Sequence, residues 1–257
     1  LNLKMLVDLN SDVGESFGVY KYGSTEIIKF VSSVNIACGM HAGDPMVILK
    51  TVEIAEKNNV AIGAHPGYPD LIGFGRREFH MSKDELYAYT LYQIGSLYSF
   101  LRAKKLDIQH VKPHGSLYNK IAKDKNEAHA FLSAVRDFSK DLLVFLPPSS
   151  KSEEVALELG LKVVREGFLD RAYNSDGTLV ARNIPGAILK DEDFVVRRAV
   201  DMILNKSLKT IDNKTITVDF QTFCVHSDTP GAENFVKKLL KVFSDNNILI
   251  KSAREWV

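Results

Sequence analysis

The feature that most constrains this chain is a rhythm of short apolar runs set between segments of helical spacing. The runs are Met5 to Leu9, Val34 to Cys38, Val60 to Ala64, Ile108 to Lys112, Leu142 to Leu146, Lys162 to Arg165 and Thr222 to Val225. Between them lie Met46, Leu49, Val52 and Ala55 at helical spacing, a long helix from Ser82 to about Lys105, and a helix after PHGSLYN to about Phe138. Further helices are predicted for Ser152 to Leu159, for Glu192 to Asn205 and after Thr229-Pro230, with a last apolar run at Ile248 to Ile250. Strands alternating with helices build βα units and a parallel sheet. Seven or eight such units predict a closed or nearly closed barrel, with an open doubly wound sheet as the alternative. Both architectures put chemistry at the carboxyl ends of the strands.

Local signals support these boundaries. Asp44 followed by Pro45 is a helix start, and Ser82 with Glu85 is a capping box. Thr25 to Val31 also reads as helical. Two connections, His65 to Met81 and Glu166 to Ala187, are far longer than the roughly 2 to 6 residues usual between a strand and a helix, which marks them as functional or disordered. Neither a repeat nor a linker composition interrupts the pattern, so residues 1–257 are expected to form a single domain.

Charge and cysteine content remove several classes of function. Lys plus Arg is 33 against 32 for Asp plus Glu, which gives no electrostatic case for nucleic acid or an anionic membrane as partner. A small metabolite fits better. Only Cys38 and Cys224 are present, without a CxxC or a disulfide framework, as expected of a reducing compartment. No apolar run is long enough to span a bilayer, and the start lacks the basic and apolar regions of a signal peptide. A cytoplasmic protein is expected.

The first strand carries acids that need an explanation. KMLVDLNSDVGE brings Asp8, Asn10, Asp12 and Glu15 along an apolar strand to a turn at Gly14, and a carboxylate buried there must be either paired or functional. Four of the seven histidines, His41, His65, His114 and His226, directly follow predicted strands, and three share the spacing His-x-x-x-Pro. At one barrel mouth, such histidines with Asp8 and Asp12 could move protons near neutral pH or hold a divalent metal; spacing does not separate the two. His80, His110 and His129 read as structural or surface residues. Arg76 and Arg77 in one long loop, and Arg171 and Arg182 in the other, suit bidentate binding of carboxylate or phosphate. Lys112, at a strand end beside His114, is a candidate for neutralising an anion. Cys38 reads as buried packing. Neither a GxxxxGK[ST] segment nor a GxGxxG after a strand is present.

These blocks carry a resemblance. VDLNSDVGESFG (Val7 to Gly18), NIACGMHAGDP (Asn35 to Pro45), GAHPGYPDLIGFGRR (Gly63 to Arg77), VKPHGSLYN (Val111 to Asn119), EGFLDRAYNSDGTLVAR (Glu166 to Arg182) and VHSDTPGA (Val225 to Ala232) resemble the LamB/YcsF family of lactam-utilisation proteins. The resemblance implies an irregular seven-stranded (β/α) barrel of the glycoside hydrolase/deacetylase type. It also implies ATP-dependent opening of 5-oxo-L-proline to L-glutamate, with Mg2+-ATP as co-substrate and two partner subunits, B and C. On that basis Asp8 or Asp12 is expected to act as general base with His41 or His65, and His114 to protonate or orient the leaving nitrogen. Asn10 is expected to hydrogen-bond the substrate, and Lys112, Arg76 and Arg182 to clamp anionic groups. A metal, if bound, is expected on Asp8, Asp12, His41 and His65. Two competing readings are a metal-dependent deacetylase of an acylated sugar or amine and a non-catalytic substrate-binding subunit.

Overall fold

A computed structural model of the chain describes residues 4–225 and 232–257. The expected strand-exit residue His226 and the helix start at Thr229-Pro230 lie outside the described residues. Seven parallel strands close a barrel in the order β1 (Met5–Val13), β2 (Ser33–Ala37), β3 (Ala61–His65), β4 (His110–Val111), β5 (Leu143–Leu146), β6 (Lys162–Phe168) and β9 (Thr222–Cys224), with β9 returning to β1. The intervening β7 (Ser207–Lys209) and β8 (Thr215–Thr217) form a separate antiparallel pair outside the barrel.

The seam is where the barrel is irregular. The long β1 pairs through Asp8 to Asn10 with β9, while its first residues, Met5 to Val7, pair with β10 (Ile248–Ile250). The last residues then cross beneath the strands. Ala253 joins Leu143, Phe145 and Val164 in a small apolar cluster against which Val257 packs, and Arg254 donates to the Ile108 carbonyl at 2.7 Å. The amino end of the barrel is plugged, so access is left to the carboxyl end.

The helices follow their predicted starts. Asp44 accepts from the Met46 and Val47 amides, with Pro45 opening α1 (Pro45–Lys57). The Ser82–Glu85 box opens α2 (Lys83–Ala103), satisfying amides that the helix leaves orphaned. The predicted helix after PHGSLYN is broken in two, α3 (Gly115–Ile121) and α4 (Lys125–Phe138), because Asp124 accepts from the Asn126 and Glu127 amides and starts a new helix. The remaining helices are α5 (Lys151–Glu158), α6 (Glu192–Leu204) and α7 (Ala232–Asp245). Thr25–Phe30 is a 3-10 turn rather than an α-helix. No helix among the described residues is long and apolar enough to cross a membrane.

Candidate active site at the barrel mouth

Side chains alternate across a strand, so Asp8, Asn10 and Asp12 share the inner face of β1 at three depths. A strand rises about 3.3 Å per residue, which puts Asp8 roughly 13 Å below Asp12. At the lowest level Asp8 accepts from the hydroxyls of Ser32 (2.8 Å), Ser33 (2.5 Å) and Thr222. Burial pushes its carboxyl up to about 6 in spite of those three donors. At that depth Asp8 does not line the cavity at the mouth.

The next level is a closed amide network. Asn10 donates to Thr222 Oγ1 (2.7 Å) and Glu166 Oε1 (3.1 Å), and its carbonyl oxygen accepts from Asn35 (2.7 Å) and Lys112 (3.3 Å). His110 donates through Nε2 to Asn35 Oδ1 at 2.6 Å and stacks on Phe145. Its ring occupies the volume that a side chain at Gly63 would fill: a Cβ there would lie 2.2 Å from Nε2. His110 is structural, as expected. Asn10, expected to bind substrate, has its amide spent within this network.

Lys112 stands above it, fully enclosed. Its ammonium lies 2.8 Å from Glu166 Oε1, 3.0 Å from Asp12 Oδ1 and 3.2 Å from Cys224 Sγ. Burial alone would lower its pKa, but Asp12, Cys224 and Glu166 outweigh that and hold it well above the ordinary lysine value. Its three protons are therefore engaged within the protein. For Asp12, burial is likewise overcome by His65 and Lys112, and the carboxyl stays well below the usual range.

At the mouth, the turn after β1 delivers Glu15 to three histidines. Glu15 Oε1 is 3.3 Å from both His41 Nε2 and His114 Nδ1, and 3.9 Å from His65 Nε2. His65 also reaches Asp12 Oδ2 at 3.4 Å. His41 and His114 stack face to face with centroids 3.7 Å apart. Backbone carbonyls fix two of the rings, since a carbonyl only accepts: His65 donates through Nδ1 to Lys112 O (2.8 Å), and His114 through Nε2 to Phe74 O (2.8 Å). The other nitrogens, His65 Nε2 and His114 Nδ1, then face each other at 3.0 Å. Two lone pairs at that separation beside a carboxylate need a cation between them, either one shared proton or a metal. Buried His41 Nδ1 has no hydrogen-bond partner among the described residues. Donor atoms of Glu15, His41, His65 and His114 all lie within 4.8 Å of one another, so this group could hold a divalent metal. It includes His41 and His65 of the expected metal set, but Glu15 and His114 stand where Asp8 and Asp12 were expected.

The electrostatics separate the members. Burial raises the Glu15 carboxyl, but the neighbouring rings of His114 and His41 bring it down to about 2. Burial and the neighbouring His114 push His41 down to about 3, so its ring is neutral. His65 is raised, because Asp12 outweighs the burial that would lower it.

A cavity of about 700 Å³ opens over this floor, lined below by Asp12, Glu15, His65, Lys112 and His114 and around its rim by Arg76, Arg171 and Arg182. Arg77, by contrast, is turned away to clamp Asp70 within the first long loop. Cys38 is buried, donates to Ile36 O and has its thiol pushed up to about 12 by burial, as expected of a packing residue. Glu15 and Glu166 carry no expected role from the sequence; their signal, acids at the ends of β1 and β6, is weak without the partners that the fold supplies.

Comparison with known proteins agrees with this architecture. The LamB/YcsF family model matches residues 7–257. Relatives named as the A subunit of 5-oxoprolinase include those of Pyrococcus furiosus (50% identical) and Pyrococcus horikoshii (45%), each aligned over 98% of this chain and 100% of the relative. That of Alkaliphilus metalliredigens is 49% identical over 96% of both. The crystal structure of a lactam utilization protein from Thermus thermophilus superposes with a TM-score of 0.93 at 42% identity, covering 96% of this chain and 100% of that one. With its seven-stranded parallel barrel and a match that runs almost from end to end, the chain belongs to the LamB/YcsF family.

Proposed function

We propose that this chain is the lactam-handling component of an ATP-dependent 5-oxoprolinase, which opens 5-oxo-L-proline to L-glutamate together with separate B and C subunits in the cytoplasm. The observation that carries the reading is the convergence of Asp12, Glu15, His65 and His114 on the floor of one cavity with an arginine-bearing rim, with His41 in the same buried group of donor atoms as Glu15, His65 and His114. The end-to-end similarity to proteins named as the A subunit of 5-oxoprolinase supports it.

The chemistry explains the demand for ATP. A five-membered lactam is a stabilised amide, and transfer of the γ-phosphoryl group to its oxygen, with ADP leaving, makes the ring carbon electrophilic. Water adds to that carbon, its proton passing to the Asp12–His65 pair. The ring C–N bond then breaks as nitrogen takes a proton from the His114 side, and a second water releases phosphate. The balance is lactam, ATP and two waters to glutamate, ADP and phosphate. Asp12, kept ionised by Lys112, and His65, raised by Asp12, divide the proton between them. Glu15 and neutral His41 position the cluster. Asp8 and Asn10 brace it from below, and Arg76 and Arg182 meet anionic groups at the rim. The chain has no GxxxxGK[ST] segment, so Mg2+-ATP is assigned to the assembled enzyme.

The opposed His65 and His114 nitrogens fit a divalent ion, which Glu15, His41, His65 and His114 would hold. When bound, such an ion supplies Lewis-acid polarisation of a carbonyl or activation of water. The same group favours one second reading, a metal-dependent hydrolase of an acylated amine or sugar. Mixing the chain with its B and C partners and measuring glutamate release with and without ATP, omitting each component in turn, separates these. Release that needs all three proteins and ATP supports the proposal. Turnover by B and C alone, or chelator-sensitive amide hydrolysis by this chain without ATP, overturns it.

A further inference from the structure

The loop after β6, residues 169–190, builds a cationic wall whose charge the proton transfers at the floor do not consume. It folds back on itself: the Ala172 amide donates to Ala187 O (2.9 Å) and the Val180 amide to Ala172 O (3.0 Å), over a cluster of Ala172, Val180 and Ala187. Arg198 of α6 fastens the loop's start by donating to the carbonyls of Leu169 (2.7 Å) and Arg171 (2.9 Å). This folding encloses Arg171, which is only 7% exposed. Its Nη2 donates to Val180 O at 2.6 Å, and its buried Nε has no acceptor among the described residues. Arg171 and Arg182 line the same cavity. Arg171 is lowered by its burial and by the like charge of Arg182, which Asp170 only partly offsets.

An enclosed guanidinium with an idle N–H beside a second arginine is costly to build unless an anion completes it. The floor of the cavity presents the carboxylates of Asp12 and Glu15, which disfavour a negative group beside them. We propose that Arg171 and Arg182 form an oxyanion-binding subsite that takes the carboxylate or phosphoryl group of the reactants at the β6 wall. For a cyclic amide acid this turns the lactam carbonyl toward Asp12 and His65. The inference rests on the 5-oxoprolinase reading only for which oxyanion arrives; the subsite itself is a property of the loop.

Two measurements test it. Calorimetric titration of the purified chain with 5-oxoproline, with 2-pyrrolidinone, which lacks the carboxylate, and with pyrophosphate uses wild type, Arg182→Gln, Arg171→Gln and Arg171→Lys. Loss of a charge-assisted hydrogen bond predicts weakening of the carboxylate or the pyrophosphate by about tenfold or more in the Gln variants. Partial recovery is expected in Arg171→Lys, and unchanged pyrrolidinone binding in all. In the complex with B and C, a raised KM for 5-oxoproline at unchanged KM for ATP identifies the substrate carboxylate, and the reverse identifies the phosphoryl group. Anion binding and both KM values indifferent to Arg182→Gln, which alters an exposed side chain and spares the fold, overturn the proposal. A wild-type complex that releases no glutamate, while this chain still binds these anions through the two arginines, overturns the functional reading and leaves the subsite standing.

Discussion

Replacing Lys112 with methionine tests whether the lysine is a brace of the floor or a free clamp. The change keeps much of the side chain's bulk and removes the ammonium that lies 2.8 Å from Glu166 and 3.0 Å from Asp12. Glu166 is buried within the barrel. Removing one member of a buried ion pair typically costs about 3–5 kcal/mol, because the remaining charge is left uncompensated. For a chain of this size that is a fall in melting temperature on the order of 10 °C. Urea unfolding, followed by circular dichroism, of Lys112→Met, Glu166→Gln and the double variant measures it. The double variant should be more stable than Lys112→Met by about 2 kcal/mol, since the orphaned carboxylate is gone. A stabilising or neutral Lys112→Met would refute the reasoning, because deleting an unpaired buried cation relieves desolvation. A strictly additive cycle would refute it as well.

Other perturbations probe the residues around this brace. Gly67→Ala puts a Cβ 2.7 Å from His41 Nδ1 on a backbone held by Gln93 at both its N–H (2.9 Å) and its C=O (3.0 Å); glutamate formation in the complex should drop about a hundredfold with little change in melting temperature. Asp8 titrates near 6 in the fold against an ordinary 3.8, so between those values the folded chain keeps a proton that the unfolded chain has lost. Its contribution to stability is therefore full below about pH 4 and lost as pH rises through 6, by roughly 3 kcal/mol in all; Asp8→Asn should remove that slope from denaturation curves taken from pH 4 to 7, and an unchanged slope would rule it out. Cys38, with its thiol at about 12, should resist iodoacetamide in the native chain at pH 8, and Cys38→Ser should keep activity; rapid native labelling would contradict its burial.

Much of the barrel was legible because its signals are local. Apolar runs separated by Asp44-Pro45 and Ser82–Glu85 starts identify strands and helices without knowledge of what they pack against. The break at Asp124 was missed because helical spacing continues on both sides of it, and only the cap contacts reveal the new start. The β7–β8 pair was missed because its strands are short and largely exposed, and Asn213, at φ +61°, marks the turn with a residue equally common in loops.

The site divides in the same way. His41, His65 and His114, expected at strand exits, lie with their donor atoms within 4.8 Å of one another, since equivalent βα positions converge at a barrel mouth. Period-two alternation puts Asp8 and Asp12 on one face but is silent about depth, and depth gives them different surroundings. Lys112 at a strand end looks free until β6 and β9 bring Glu166 and Cys224 to it from far along the chain. Glu15 acquires its importance from His41 and His114, contacts that no spacing encodes.

On the proposed function, the Glu15–histidine centre of this chain opens the lactam within an assembly with B and C. The most direct test reconstitutes the complex with B and C and compares wild type, Glu15→Gln and His65→Asn for glutamate release and ADP formation, after sedimentation has shown that each variant still assembles. Glutamate release should fall by at least about a hundredfold in both variants. Release within a few-fold of wild type from either assembled variant would contradict the claim.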